Sequence, residues 1–470
     1  MMEQPFKVIN QLRKEGRLDE AWNIGCPAVQ ENPQDRYLKG AFFWVCYAYL
    51  KQVQGPIYER GKANGNFLPN QVEAERINFL LDWINWLSIP AGGYEHRSLL
   101  LTCQKNLEDF PKLVLLLFSC RQGLFEAGDK APYQSNRGES PSLMLSFARK
   151  VANCWLNNEQ ARQIELSDLR QFFSQVRREA GDRQHIIWLD YDEAKCLISA
   201  GNFDDARAFI IPVLKKKQSE SWAWGALADT YVKTDPDTAI TLFAQGINHS
   251  HDEKFALKLL TGITPLLASC GYVQQASMCI QRAVACYQSN GWKIKNDLTQ
   301  FQQQPWFDAS VDITELPPFL QQKAQGALDL LLGPARKACG LVVNLHKSGK
   351  GLHLYLSAQV SVSVPLRLIK SRVTPNVGDY LLATLAGEGE ETSVLAAEIT
   401  SPQTIPGVET YTDELRVTDK GFGFVGDTFV PPFMVKDGMN MRAVEVVRYK
   451  DFDKKKGKLG WRALSMAACD

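Results

Sequence analysis

The residues best suited to hold a ligand run from Lys420 to Pro431: Lys420-Gly421-Phe422-Gly423-Phe424-Val425, then Thr428-Phe429-Val430-Pro431. Side chains on a strand alternate between its two faces. On one strand, therefore, Lys420, Phe422 and Phe424 share a face and Gly421 and Gly423 take the other, while Phe429 brings a third ring from the next strand. Rings beside a cation form a platform on which bases stack while the charge tracks the phosphates, which is how single-stranded nucleic acid is held. The competing reading turns the rings into a core. It leaves two glycines on the outer face, where they weaken the strand for no gain. We therefore assign base stacking to Phe422, Phe424 and Phe429, and phosphate pairing to Lys420.

No catalytic constellation accompanies them. The chain contains no Walker loop, G-x-S-x-G, H-E-x-x-H or Rossmann fingerprint. Of its six histidines, His249 and His251, with Asp252 or Glu253 beside them, form too short a run to wrap an ion. Arg178 and His185 stand farther apart than the Arg/His pair of helical ribonucleases. The expectation is a chain that is not an enzyme and has no cofactor and no metal site.

The spacing also selects the element that carries the rings. The RRM form of the motif places a further aromatic two residues past the valine; here that position is Asp427, after Gly426. The stretch instead resembles the cold-shock domain, a small OB-type barrel with a K-G-F-G-F-[IV] strand and a nearby V-F-V-H strand. Two departures stand out. Pro431 replaces the histidine, and the preceding strand, Asp413-Glu414-Leu415-Arg416-Val417, lacks the family's tryptophan. The resemblance implies a barrel that stacks fewer bases than a full cold-shock surface.

The same order recurs upstream. Lys350-Gly351-Leu352-His353-Leu354-Tyr355 parallels the lysine-glycine strand, and Ser363-Val364-Pro365 parallels Phe429-Val430-Pro431. This predicts two consecutive OB-like barrels, residues 336–402 and 406–470, the first degenerate and retaining only Tyr355 of the aromatic set. Charge compensates in part. Residues 336–378 hold seven Lys/Arg and no Asp/Glu, an electrostatic footprint for phosphate. Lys350, His353, Tyr355, Arg367, Lys370 and Arg372 would extend the track. In the second copy Lys454, Lys455, Lys456 and Lys458 sit at an expected hairpin tip, the loop with which OB folds often grip oligonucleotides.

The first 330 residues read as helix after helix, with Gly and Pro between apolar-periodic segments. One signal repeats: Gly16-Arg17-Leu18-Asp19-Glu20-Ala21, Gly201-Asn202-Phe203-Asp204-Asp205-Ala206 and Gly271-Tyr272-Val273-Gln274-Gln275-Ala276 share G-x-apolar-x-x-A. The glycine ends one helix and the alanine lets the next pack closely. With Trp224, Leu227, Ala228, Tyr231 and Ala239 between the last two copies, this resembles the tetratricopeptide repeat, whose period is about 34 residues. Residues 55–160 are helical but fit the repeat badly. The polar, Gly/Pro-rich stretch 121–142 reads as a disordered connector. Trp83 and Trp86 read as inter-helix core or as an anchor for a partner.

Composition sets the outer limits. The chain has 470 residues, 45% hydrophobic, and a net charge of +1. Residues 1–335 carry 35 basic and 37 acidic side chains, so the positive balance lies in the C-terminal part. Eleven cysteines without a C-x-x-C pair give no zinc or disulfide framework and point to a reduced, cytoplasmic compartment. The N-terminus lacks the signature of a signal peptide, and the longest obvious apolar run, residues 113–118, is too short for a bilayer. The expected architecture is multidomain, α then β: a tetratricopeptide-like α-solenoid followed by two small OB/cold-shock-like β-barrels. The expected function is a non-enzymatic adaptor. It binds single-stranded nucleic acid, RNA ahead of single-stranded DNA, docks a protein partner on the solenoid, serves as an accessory subunit of an RNA-metabolism complex or of a bacterial defence or mobile-element complex, and does not engage a membrane. The alternative is a protein-assembly scaffold whose barrels contact protein.

Overall fold

The computed structural model describes residues 4–136, 138–371, 373–387, 392–436, 440–453 and 457–469. The chain divides into two compact units, Met1–Lys323 and Ala324–Asp470.

The first unit is helical, and its helix pairs end as the glycine motif requires. Pro5–Lys14 leads to Leu18–Glu31, Ile186–Ser199 to Phe203–Lys216, and Glu253–Ser269 to Val273–Ser289. At each junction the glycine is left-handed: Gly16 at φ +78°, Gly201 at +80° and Gly271 at +86°. The next amide reaches back five residues, Arg17 to Leu12 at 2.9 Å, Asn202 to Leu197 at 2.9 Å and Tyr272 to Leu267 at 2.8 Å. This satisfies a carbonyl that the helix end leaves free. Ala21, Ala206 and Ala276 are fully buried in the helices that follow. The pair Ser221–Asp229 and Pro236–Asn248 has no such glycine; Asp235 caps its second helix through the Thr238 amide. Trp224 and Ala239 are fully buried there. Among the described residues no helix is long and apolar enough to cross a membrane.

The stretch expected to be a disordered connector is ordered. The described residues of 121–142 form two 3-10 turns and the paired strands β1 (Tyr133–Ser135) and β2 (Gly138–Ser140). Buried Asp129 receives two hydrogen bonds from Arg97, at 2.8 and 2.9 Å, and Lys130 pairs with Glu179 at 2.7 Å. Asp182 accepts from the Ser142 amide at 2.8 Å. These distant partners, not the local composition, order it.

Among the described residues the second unit holds ten strands in two groups. β3 (Arg336–Leu345), β4 (Gly351–Ser357), β5 (Val360–Pro365), β6 (Tyr380–Ala386) and β7 (Ser393–Thr400) form an antiparallel sheet in the order β5-β4-β3-β6-β7. It curls until Ile369 bridges Ala397 in parallel. Val342, Leu352, Leu354, Val364, Leu381 and Leu385 fill it. β8 (Val408–Val417), β9 (Gly423–Val425), β10 (Thr428–Val430), β11 (Ala443–Asp453) and β12 (Lys458–Ala468) close into a barrel, β10-β12-β11-β8-β9. Among the described residues of the barrel only β10 and β12 pair in parallel. The strand order is the same in both groups, but where two barrels were expected the first is a curled sheet. Leu415, Val425, Val430, Val444 and Val446 are the barrel's core. The two β-domains meet over Leu341, Tyr355, Ile405, Tyr449 and Leu464.

Candidate nucleic-acid interface

Phe424 on β9, Phe429 on β10 and Phe422 just before β9 lie together. Gly423, Val425, Thr428 and Val430 point inward and are buried, whereas Phe422, Phe424 and Phe429 are half-buried. Their ring centroids lie 5.8 Å (Phe422–Phe424), 5.6 Å (Phe422–Phe429) and 6.1 Å (Phe424–Phe429) apart. Gly423 is small because the core needs its volume. A Cβ there would stand 2.7 Å from Leu415 Cδ1 and 3.2 Å from the Arg416 carbonyl oxygen. Inward glycine and outward rings follow from one packing constraint.

Lys420 is placed differently from the expectation. It is exposed in the turn between β8 and β9, not on the ring-bearing strand. Gly421 adopts φ +79°, which breaks the alternation, and the strand begins only at Gly423. Two arginines that the sequence reading passed over lie in the same cross-strand row as the rings. Arg416 pairs with Phe424 across β8 and β9, Phe424 with Phe429, and Phe429 with Arg462. Arg416 is exposed. The Arg462 guanidinium lies 5.8 Å from the Phe429 centroid and 3.4 Å from Asp451. Arg416 could have been found by counting outward from Leu415 in the quoted strand. Arg462 reaches the platform through a parallel pairing that no local pattern announces.

Tyr411 and Trp461 of the barrel are engaged elsewhere. Arg448, buried, sits 3.9 Å from the Tyr411 ring centroid and 4.3 Å from that of Trp461. It donates to Glu409 at 2.5 Å, Asp427 at 2.8 Å and Thr428 Oγ1 at 2.9 Å. The Asp427 that departs from the RRM pattern is thus an ion-pair partner of this arginine.

In the first sheet the expected track is partly assembled. Lys350, Arg367 and Lys370 are exposed. His353 is on the outer face with its ring 4.6 Å from that of His346. Partial burial, and then His346, lower its pKa from the ordinary histidine value. Tyr355 is not available to a base: it is buried against Tyr449 at 5.4 Å, its hydroxyl donating to the Pro406 and Gly407 carbonyls at 3.3 and 3.4 Å. The lysine-glycine parallel also sets opposite faces in register. Leu352 and Leu354 are buried at the positions matched to Phe422 and Phe424, whose rings face out. Lys458 is exposed at the start of β12. Arg372, Lys454, Lys455 and Lys456 lie outside the described residues.

Comparison with known families agrees with this geometry at the barrel. Residues 409–466 match the model of the S1/CSD-like domain 2 of the TOTE conflict systems, a span that takes in most of β8 to β12. Residues 187–327 match a domain of unknown function, DUF7017. No curated protein matches the chain. The closed five-stranded barrel and the family match together fit an OB/cold-shock-like C-terminal domain.

Proposed function

We propose that the chain is a non-enzymatic adaptor that holds single-stranded nucleic acid, RNA ahead of single-stranded DNA, on the outer face of its second barrel. The observation that carries this reading is the cluster of three phenylalanine rings flanked in one cross-strand row by Arg416 and Arg462. Stacking needs accessible rings and phosphate needs accessible cations; exposed Arg416 stands on the same surface as the rings, and Arg462 beside them is shared with Asp451. The helical unit, in our reading a tetratricopeptide-like solenoid, docks a protein partner. Phe79 and Trp86 are 43% and 47% exposed there, although Trp83 packs against Trp22 and Phe42. The S1/CSD-like family match favours a role in a conflict or defence complex, as the subunit that presents nucleic acid to a separate enzyme.

Binding of the full chain to a short single-stranded oligonucleotide at low and high salt tests this. Affinity falls steeply as salt rises, because phosphate contacts release counterions. Phe424→Ala costs about 1–3 kcal/mol of binding free energy. Absence of binding at low salt removes the proposal and leaves the protein-assembly scaffold in its place.

A further inference from the structure

A cleft of about 960 Å³ separates the two β-domains of the C-terminal unit. Asn344, His353, Gln359 and Ser361 line it from the first sheet, and all four are exposed. Phe433 and Phe452 face it from the barrel, 79% and 53% exposed. Tyr355 and Tyr449, which pack edge to face, also line it and tie its two walls together.

The cleft joins the platform. Arg462 lines it and is also the cation beside Phe429. Pro431, which directly follows β10, lines it too. Among the described residues its one lining carboxylate, Asp451, is paired with Arg462.

We propose that platform and cleft are one site, and that a single strand stacked on the phenylalanines continues past Arg462 into the cleft. There its next bases lie against Phe433 and Phe452, while base edges and sugar hydroxyls meet Asn344, His353, Gln359 and Ser361. This rests on the platform reading and extends it. Aromatic faces opposite neutral donors and acceptors are the chemistry that reads unpaired nucleotides. The first-sheet wall also comes from a stretch without acids, residues 336–378, so no carboxylate there repels the phosphates. The degenerate first sheet thereby gains a role: it supplies a wall instead of a second platform.

The test compares oligouridines of about four and about ten nucleotides, spanning the site sizes of OB folds, on the full chain. The longer one binds about tenfold tighter or more, the gain expected from one further stacked base. Asn344→Asp combined with Gln359→Glu, two exposed positions that tolerate charge, abolishes that gain and leaves four-nucleotide binding intact. Phe424→Ala weakens both lengths. With oligodeoxyuridines the gain persists if bases fill the cleft and shrinks if sugar hydroxyls do; either result places the strand there. An unchanged gain in the double variant overturns the cleft while sparing the platform. Failure of both lengths to bind the unaltered chain overturns the platform and the cleft with it.

Discussion

Aromatic residues in this barrel divide by what already lies against them. Among the described residues, the aromatic and cation–π contacts of Phe422, Phe424 and Phe429 are with one another and with Arg462, and all three rings stay half-buried, the surface on which the proposed base would stack. Trp461 and Tyr411 already stack on Arg448 and serve the fold. Arg448 is buried, yet its carboxylate partners Glu409 and Asp427 are largely exposed. Removing the guanidinium lets those carboxylates rehydrate, and the cost is smaller than that of an orphaned buried charge. What is lost are charge-assisted hydrogen bonds, the one to buried Thr428 included, and two cation–π contacts. Arg448→Met is therefore expected to destabilise the barrel by about 2–3 kcal/mol. Hydrogen exchange of the β11 and β12 amides reads this out as faster opening; exchange at the unaltered rate would show that the arginine contributes nothing to closure.

Strands turn those side chains into a surface, and the two glycines of Lys420–Val425 act at this level in different ways. Gly423 faces Leu415 in the core, so Gly423→Val overpacks it and costs about 1–3 kcal/mol, displacing the platform as well. Gly421 has open space around it but a φ of +79°, so Gly421→Ala costs about 1–2 kcal/mol of backbone strain. It should leave oligonucleotide affinity near that of the parent. Denaturation midpoints together with affinity separate the two, and equal loss of affinity in both variants would contradict the assignment. The same elements show what local pattern can reveal. Alternation placed the rings outward and Gly423 inward because that backbone is extended. It misplaced Lys420 because one left-handed residue intervenes. The upstream copy kept the lysine-glycine signal, but an offset of one residue exchanges the faces of a strand, so Leu352 and Leu354 entered the core. Tyr355 points outward as alternation requires and is nevertheless covered, since Tyr449, remote in sequence, closes over it. The helix-ending glycines were legible because their whole cause lies within a few residues of each. Residues 121–142 were not, because Arg97, Glu179 and Asp182 supply their order from elsewhere.

Across the whole chain, a net charge of +1 conceals buried groups whose titration sets the pH range of stability. His96 is 1% exposed and its Nδ1 has no hydrogen-bond partner among the described residues. His249 stacks on Trp224, ring planes 7° apart. Burial lowers the pKa of both from the ordinary value, and in His249 the neighbouring His251 adds to it; His353 shifts the same way. A histidine with a lowered folded-state pKa binds fewer protons folded than unfolded. Its contribution is complete above the unfolded value of about 6.5 and is lost as pH falls through that value towards the folded one. Paired carboxylates act in a lower window. Hydrogen bonds from Arg60 hold the Glu73 pKa down, and those from Arg97 hold down that of Asp129, so their stabilisation survives until pH falls below about 4. Thermal unfolding should therefore show Tm declining in two steps, the first beginning near pH 6.5 and the second near pH 4. His96→Leu fills the buried position with a side chain that cannot take up a proton, so it should shallow the first step and leave the second in place. A Tm that is flat from about pH 7 to 5 in the unaltered chain would mean that the buried imidazoles gain as many protons folded as unfolded, which their desolvated surroundings oppose.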